Sequence, residues 1–330
     1  TELVPREGYP IRTVHIAGFR RGLSPKMLVG NMKTAWLVIR SVGEAKRILR
    51  EFRPDVAVGT GGYVCYPVLK AAADMGIPTA VHESNAIPGL TTRLLEGRVT
   101  RILVGFEESR AAYRHPERVE VTGTPVRAGF RHTEKERARR ELGLPSGERI
   151  VLAVFGSLGA GNMNRLMGDV IRLMGNDAPF RLIYATGKRY YDEVQDMLTR
   201  SRLHSPMIDV REYIYDMPKV MSAADVIICR SGASTISELT YLGRPAVIVP
   251  SPNVVNDHQT KNARVLAEAG AAVMLPEEGL TGQRLYDELM ELVRDPRRMG
   301  EMGEASARLG VQDAADRIAS LVLGLAAGKE

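Results

Sequence analysis

Short apolar, β-branched runs alternate with longer segments of helical period along most of this 330-residue chain, the pattern of parallel βαβ units. In the first half the runs predict strands over Arg12 to Ile16, Asp55 to Val58, Thr79 to His82, Arg101 to Val104 and Val119 to Thr122. In the second half they predict strands over Arg149 to Phe155, Arg181 to Ala185, Ile208 to Tyr213, Val226 to Cys229, Ala246 to Val249 and Ala271 to Leu275. Two doubly wound α/β domains follow. The expected organisation is an amino-terminal domain over 1–130, a highly charged linker over 131–148, a second domain over 149–310, and a closing helix within 311–330 that reads as packing. The opening "TELVPREGYPIRTVHIAG" is a loop-like approach to what reads as a second strand. A first βα unit is therefore expected to be missing, either clipped from the sequence or lost from the protein.

Length and composition narrow the class. The chain is long for one core and comfortable for two, and 44% hydrophobic residues support ordinary globular folding. Two cysteines, Cys65 and Cys229, are too few for a disulfide framework and point to a reducing compartment. No metal-ligand spacing appears. With no apolar run of about 18 residues and no secretory signal, the chain is not expected to span a membrane.

Charge changes that picture. The formal net charge is +6, yet between Arg12 and Arg53 ten Lys or Arg face only Glu44 and Glu51. Inside this segment "PKMLVGNMKTAWLVIR" sets Met27, Leu28, Met32 and Trp36 among Lys26, Lys33 and Arg40. Apolar anchors with basic flanks suit an anionic lipid surface, where each cation adds roughly 1 kcal/mol. A core helix with a solvated basic face fits the same letters. Nucleic acid is not expected as a partner, because aromatics are 5% of the chain and no stacking motif accompanies the charge.

Ligands of open α/β sheets bind beyond the carboxyl ends of the strands, so the residues after each strand carry the chemistry. "VAVGTGGYV" places Gly61 and Gly62 there, permitting a tight turn and close backbone approach, as a purely structural turn also would. "LAVFGSLGAGNMN" offers Gly156, Ser157 and Gly159 before a helix, where successive N–H groups suit a diphosphate, although neither a Walker nor a dinucleotide spacing is present. "AVHESN" crowds His82, Glu83, Ser84 and Asn85 at one strand exit; His82 or Glu83 is a candidate general base, against a structural role for a lone histidine. "ICRSGASTISEL" follows a strand with Arg230, Ser231 and Gly232, leaving helix N–H groups open to a ligand, and then supplies Glu238, which suits the paired hydroxyls of ribose. "NDHQTKNA" adds His258 and Gln259, groups suited to sugar hydroxyls. Together these describe a nucleotide-sugar pocket.

The blocks "GFRRG", "RPDVAVGTGGYV", "GIPTAVHESNAIPGLTTR", "VTGTPVR", "YIYDMPKVMSAADVIICRSGASTISEL" and "NDHQTKNA" run in order over essentially the whole chain. In them the sequence resembles the MurG family of glycosyltransferases, glycosyltransferase family 28. The resemblance implies a GT-B fold, two Rossmann-like domains facing a central cleft. It implies inverting transfer, without cofactor or metal, of N-acetylglucosamine from UDP-N-acetylglucosamine to undecaprenyl-pyrophosphoryl-MurNAc-pentapeptide, converting lipid I to lipid II in peptidoglycan synthesis. A cytoplasmic enzyme, peripheral on the inner face of the cell membrane and with cell-wall synthesis proteins as candidate partners, is expected. By the same resemblance Glu238 is the ribose ligand, the backbone at Ile214 faces uracil, and Gly156, Ser157 and Gly159 form the diphosphate loop. Arg127 of "GTPVR" and Arg230 fall at donor-side arginines, and His258 and Gln259 at the sugar. Gly61, Gly62, His82 and Asn85 map to the acceptor side.

The departures matter. The family's Gly-Gly-Thr-Gly-Gly-His loop, whose histidine is the favoured base, has no counterpart, leaving His82 as the local candidate. Leu158 replaces an amide side chain beside the diphosphate, Ser84 replaces a glutamine, and Tyr66, Val68 and Leu69 replace glycines. Two alternatives therefore stand beside the transferase. One is a non-catalytic UDP-sugar-binding protein that has lost its catalytic loop, the other a related glycosyltransferase with a different lipid acceptor.

Overall fold

The β-branched runs pair as parallel ladders in two separate sheets of a computed structural model that describes residues 3–6, 8–17, 25–156 and 158–328. The chain divides into two compact units, Thr1–Gly123 with Ala314–Glu330, and Thr124–Asp313.

In the first unit a four-residue helix α1 (Leu3–Arg6) precedes the long α2 (Pro25–Phe52). There follow β1 (Ala57–Gly59), α3 (Cys65–Asp74), β2 (Thr79–Glu83), α4 (Leu90–Leu95), β3 (Arg101–Val104) and β4 (Val119–Val121), the strands lying side by side in that order. Alternate residues cover opposite faces of the sheet. Val81, Ile102 and Val104 pack with Ala45 and Leu49 of α2 and Leu69 and Ala72 of α3. Ala80 and Leu103 turn the other way, onto Leu325, with Ile318 and Leu321, of the terminal helix α13 (Ala314–Ala326). Strands buried on both faces must be continuously apolar, which is why their sequence shows runs instead of alternation.

The second unit is built from α5 (Lys135–Glu141), β5 (Ile150–Val154), α6 (Gly161–Met174), β6 (Arg181–Ala185), α7 (Tyr191–Arg200), β7 (Ile208–Arg211) and α8 (Met217–Ala223). It continues through β8 (Val226–Cys229), α9 (Ala233–Leu242), β9 (Ala246–Ile248), α10 (His258–Glu268), β10 (Ala272–Met274), α11 (Gly282–Arg294) and α12 (Pro296–Leu309). Its six parallel strands run β10-β9-β8-β5-β6-β7. The order reverses at β5, whose neighbours are β8 and β6, and this makes the carboxyl ends of β5 and β8 a topological switch point. Leu166, Ile171, Leu182 and Ile228 are fully buried in this core, each contributing roughly 1.5–3 kcal/mol.

Three expectations change. Arg12 to Ile16 is not a strand: it pairs with no sheet among the described residues, and its His15 amide instead donates to Glu44 Oε2 of α2 at 3.0 Å. The first unit ends at Gly123, not at residue 130, because Arg127 bonds Glu238 and Phe130 is buried within the second unit. The expected linker over 131–148 holds α5, fixed there by the buried carboxylate of Asp225, which accepts from Arg139, from Lys135 at 2.7 Å and from the Ile150 amide at 2.7 Å.

Candidate active site

A cavity of about 310 Å³ opens at the β5/β8 switch point of the second unit. The chain leaves β5 through Phe155 and Gly156 and enters α6 after a turn in which the Gly159 amide donates to the Gly156 carbonyl at 3.1 Å. Gly159 has φ +72°, and a Cβ there would collide with the Thr186 carbonyl at the end of β6, so only glycine permits the two loops to interlock. Gly187, just past that contact, lines the cavity too.

Opposite, β8 ends in the buried Cys229, whose thiol burial pushes up to about 12, the charge of Glu238 adding to the effect. Gly232 then caps α9 in an extended conformation (φ −64°, ψ 140°) without a side-chain cap, and Gly232, Thr235 and Glu238 from this helix start line the cavity. The left-handed Gly243 (φ 59°, ψ 45°) stops the helix. Glu238 is half-buried. Burial raises its carboxyl above the ordinary range, and Arg127, donating from Nη2 at 3.0 Å and Nε at 3.3 Å, offsets part of that rise. Arg127 itself is 56% exposed and lies over the Phe130 ring, 5.4 Å from its centroid.

Of the donor residues expected from sequence, Arg127, Gly156, Ile214, Arg230, Gly232, Glu238 and Gln259 line this one cavity. Gln259 also accepts from the Ser251 amide at 2.9 Å, which fixes its side chain at the start of α10. Others fall elsewhere. Gly159 serves the loop contact, and Ser231 is fully buried, its carbonyl accepting from Asn262 at 3.1 Å. His258 sits at the head of α10 with Nδ1 2.8 Å from the Val255 carbonyl and does not line the cavity. Ser157 lies outside the described residues. Sequence reasoning missed Gly187, Glu212, Met217 and Met221. Gly187 was findable, since it follows the predicted strand ending at Ala185 as Gly156 follows Phe155. Met217 and Met221, one turn apart on α8, resemble any core face until the fold turns them to the cavity.

The amino-terminal and carboxyl-terminal domains of glycosyltransferase family 28 match residues 1–104 and 150–318 respectively. The chain belongs to glycosyltransferase family 28. Among family members, it is 43% identical over 329 residues to a UDP-N-acetylglucosamine--N-acetylmuramyl-(pentapeptide) pyrophosphoryl-undecaprenol N-acetylglucosamine transferase of Desulforudis audaxviator, covering 99% of this chain and 87% of that protein. A protein of the same name from Acetivibrio thermocellus is 38% identical, over 97% of this chain and 85% of its own length. The crystal structure of Acinetobacter baumannii MurG superposes with a TM-score of 0.76 at 26% identity, covering 97% of this chain and 87% of that one. The GT-B fold of family 28 is thus the fold of this chain.

The first unit of this family 28 protein carries the expected acceptor-side residues. Gly61 (φ +83°) and Gly62 (φ +75°) form the turn after β1, and Asn85 follows β2. Asn85 donates from its amide at 3.2 Å and from Nδ2 at 3.1 Å to Glu83 Oε1, while Glu83 Oε2 accepts from the Gly89 amide at 2.9 Å and from Thr92 at 2.8 Å. Glu83 therefore shapes the 84–92 loop. His82 is 5% exposed, with Nε2 2.9 Å from the Gly123 carbonyl and Nδ1 3.2 Å from Ser84 Oγ. Burial lowers its pKa and so favours the neutral imidazole, while both ring nitrogens lie within hydrogen-bond distance of protein partners that fix the ring. On α2, Trp36 is 60% exposed and Ile39 74% exposed, with the Arg40 guanidinium 5.6 Å from the indole centroid. The side chains of Met27, Leu28, Met32 and Lys33 lie outside the described residues. Among the described residues no helix is long and apolar enough to cross a membrane.

Proposed function

We infer that this chain transfers N-acetylglucosamine from UDP-N-acetylglucosamine to undecaprenyl-pyrophosphoryl-MurNAc-pentapeptide, making lipid II from lipid I in peptidoglycan synthesis. The observation that carries the reading is the switch-point cavity, where a half-buried glutamate, two arginines and a glycine-capped helix start converge within a chain alike over nearly its full length to transferases of that name.

In this reading the uracil faces the backbone at Ile214, and the ionised Glu238 accepts the two ribose hydroxyls. The diphosphate lies between the Gly156 turn and the first amides of α9, with Arg230 beside it. The Gln259 amide meets the sugar. The acceptor hydroxyl forms a bond to the anomeric carbon as the bond from that carbon to the diphosphate oxygen breaks on the opposite face. Its proton passes to a base, for which His82 is the local candidate. The bonding pair leaves with UDP, whose growing charge is met by oriented amides and a guanidinium that need no reorganisation. No metal enters this proposal. Gly61, Gly62 and Asn85 of the first unit serve the acceptor, and the exposed Trp36 and Ile39 of α2, with Arg40 beside them, hold the enzyme peripherally on the cytoplasmic face of the membrane.

The test is transfer of radiolabelled N-acetylglucosamine from its UDP donor. Lipid I should become labelled and diacylglycerol should not. UDP binding with no transfer to lipid I would leave a UDP-sugar-binding protein, and preferred labelling of another lipid would reassign the acceptor.

A further inference from the structure

Arg230 reaches the donor cavity from the end of β8, yet it is not a free cation. Its Nη1 donates to the Val249 carbonyl at 3.0 Å, the Pro250 carbonyl at 3.1 Å and Glu277 Oε2 at 2.5 Å. Its Nε and Nη2 bond no protein acceptor among the described residues, and the residue lines the cavity. The guanidinium is thus pinned at one corner with its other edge open. Glu277 follows β10, two strands away from β8 in the sheet, and its other oxygen, Oε1, accepts from Asn162 Nδ2 at 2.6 Å. Asn162 is the second residue of α6, directly after the glycine turn that leaves β5. The pair is sheltered, with Arg230 13% and Glu277 11% exposed.

We propose that Glu277 is a positioning residue of the donor site, its two oxygens tying Arg230 to the start of α6 so that both present fixed donors to one diphosphate. The proposal rests on the donor-site reading above. A loose arginine loses rotamer freedom when it meets a ligand, and a glycine turn that drifts moves its amides; one carboxylate held by both removes the two costs together. Electrostatics alone argues for the reverse outcome, since Glu277 cancels the charge of Arg230 and its removal would attract an anion more strongly.

That opposition makes the experiment decisive. UDP and uridine are titrated against the parent chain, Glu277→Ala and Asn162→Ala, with urea unfolding of each. Glu277→Ala should weaken UDP by a factor of about 10 to 100, the value of charge-assisted hydrogen bonds, and leave uridine unchanged. Asn162→Ala keeps the Arg230 pair, guards against a Glu277 variant that fails to fold, and should weaken UDP by about 2- to 10-fold, again without touching uridine. Unchanged or tighter UDP binding by both variants overturns the proposal, as does an equal loss of UDP and uridine, the mark of a merely structural role. Failure of UDP to bind the parent chain overturns the donor-site reading and this proposal with it.

Discussion

Replacing Glu238 by alanine tests the donor site at its most defined point. A half-buried carboxylate that accepts two ribose hydroxyls gains about 3 to 6 kcal/mol from two charge-assisted hydrogen bonds. Against this stands Arg127, which holds the same carboxylate at 3.0 Å. Because Arg127 is 56% exposed, that pair is screened by solvent and gives back at most about 1 kcal/mol. The net loss is about 2 to 5 kcal/mol, a fall of at least roughly 30-fold in UDP affinity. Stability should hardly move, since Arg127 returns to water and no buried cation is stranded. Calorimetry with UDP and 2′-deoxy-UDP makes the assignment specific. The parent should prefer UDP by about tenfold, one such hydrogen bond, and the variant should lose the preference. Equal discrimination by parent and variant refutes the reasoning. The pH profile adds a sign. Burial places the Glu238 carboxyl above its ordinary value, so the folded protein favours the protonated form, and ionising the group as pH rises costs stability. Binding runs the other way, because the protonated acid is a poorer acceptor. UDP affinity should therefore begin to fall, as pH drops, at a higher pH than a solvated glutamate would dictate, and Glu238→Gln should flatten that fall.

Two further outcomes follow from particular contacts. Burial by itself would raise the Asp225 carboxyl, but Lys135, the Ile150 amide and Arg139 together hold it below its ordinary value. Its stabilisation is thus complete above the unfolded-state pKa and lost as pH falls through the folded one, and Asp225→Asn, which leaves Arg139 buried without its anion, should cost about 3–5 kcal/mol in urea unfolding and steepen no acid transition. Trp36→Glu should reduce sedimentation with anionic vesicles while leaving UDP titration unchanged; equal partition of variant and parent would remove the lipid-facing assignment of α2.

The donor site was legible because its loops are punctuated by residues whose chemistry is local. A glycine after an apolar strand, or a glutamate shortly after a capped helix start, states its function in a few letters, and Gly156, Gly232 and Glu238 do meet in one cavity. Glu277 was not legible. It is one of two adjacent glutamates in an unremarkable loop, and its importance arises only because β10, β9 and β8 lie side by side and carry it to Arg230. His82 was legible only in part: four polar residues crowd one strand exit in the sequence, but one partner that fixes its ring, the Gly123 carbonyl, lies 41 residues away.

The letters alone set the parallel α/β class and located the ends of most strands, because burial on both faces demands apolar runs and sharp turns demand glycine; the run over Arg12 to Ile16 is the exception. The order of the strands, and with it which strand ends become neighbours, came from the assembled fold. Strand order depends on pairing between segments distant in sequence, and no local propensity encodes it. The reversal at β5 placed the Gly156 turn beside Arg230 and the head of α9, and that adjacency converts separate loops into a binding site.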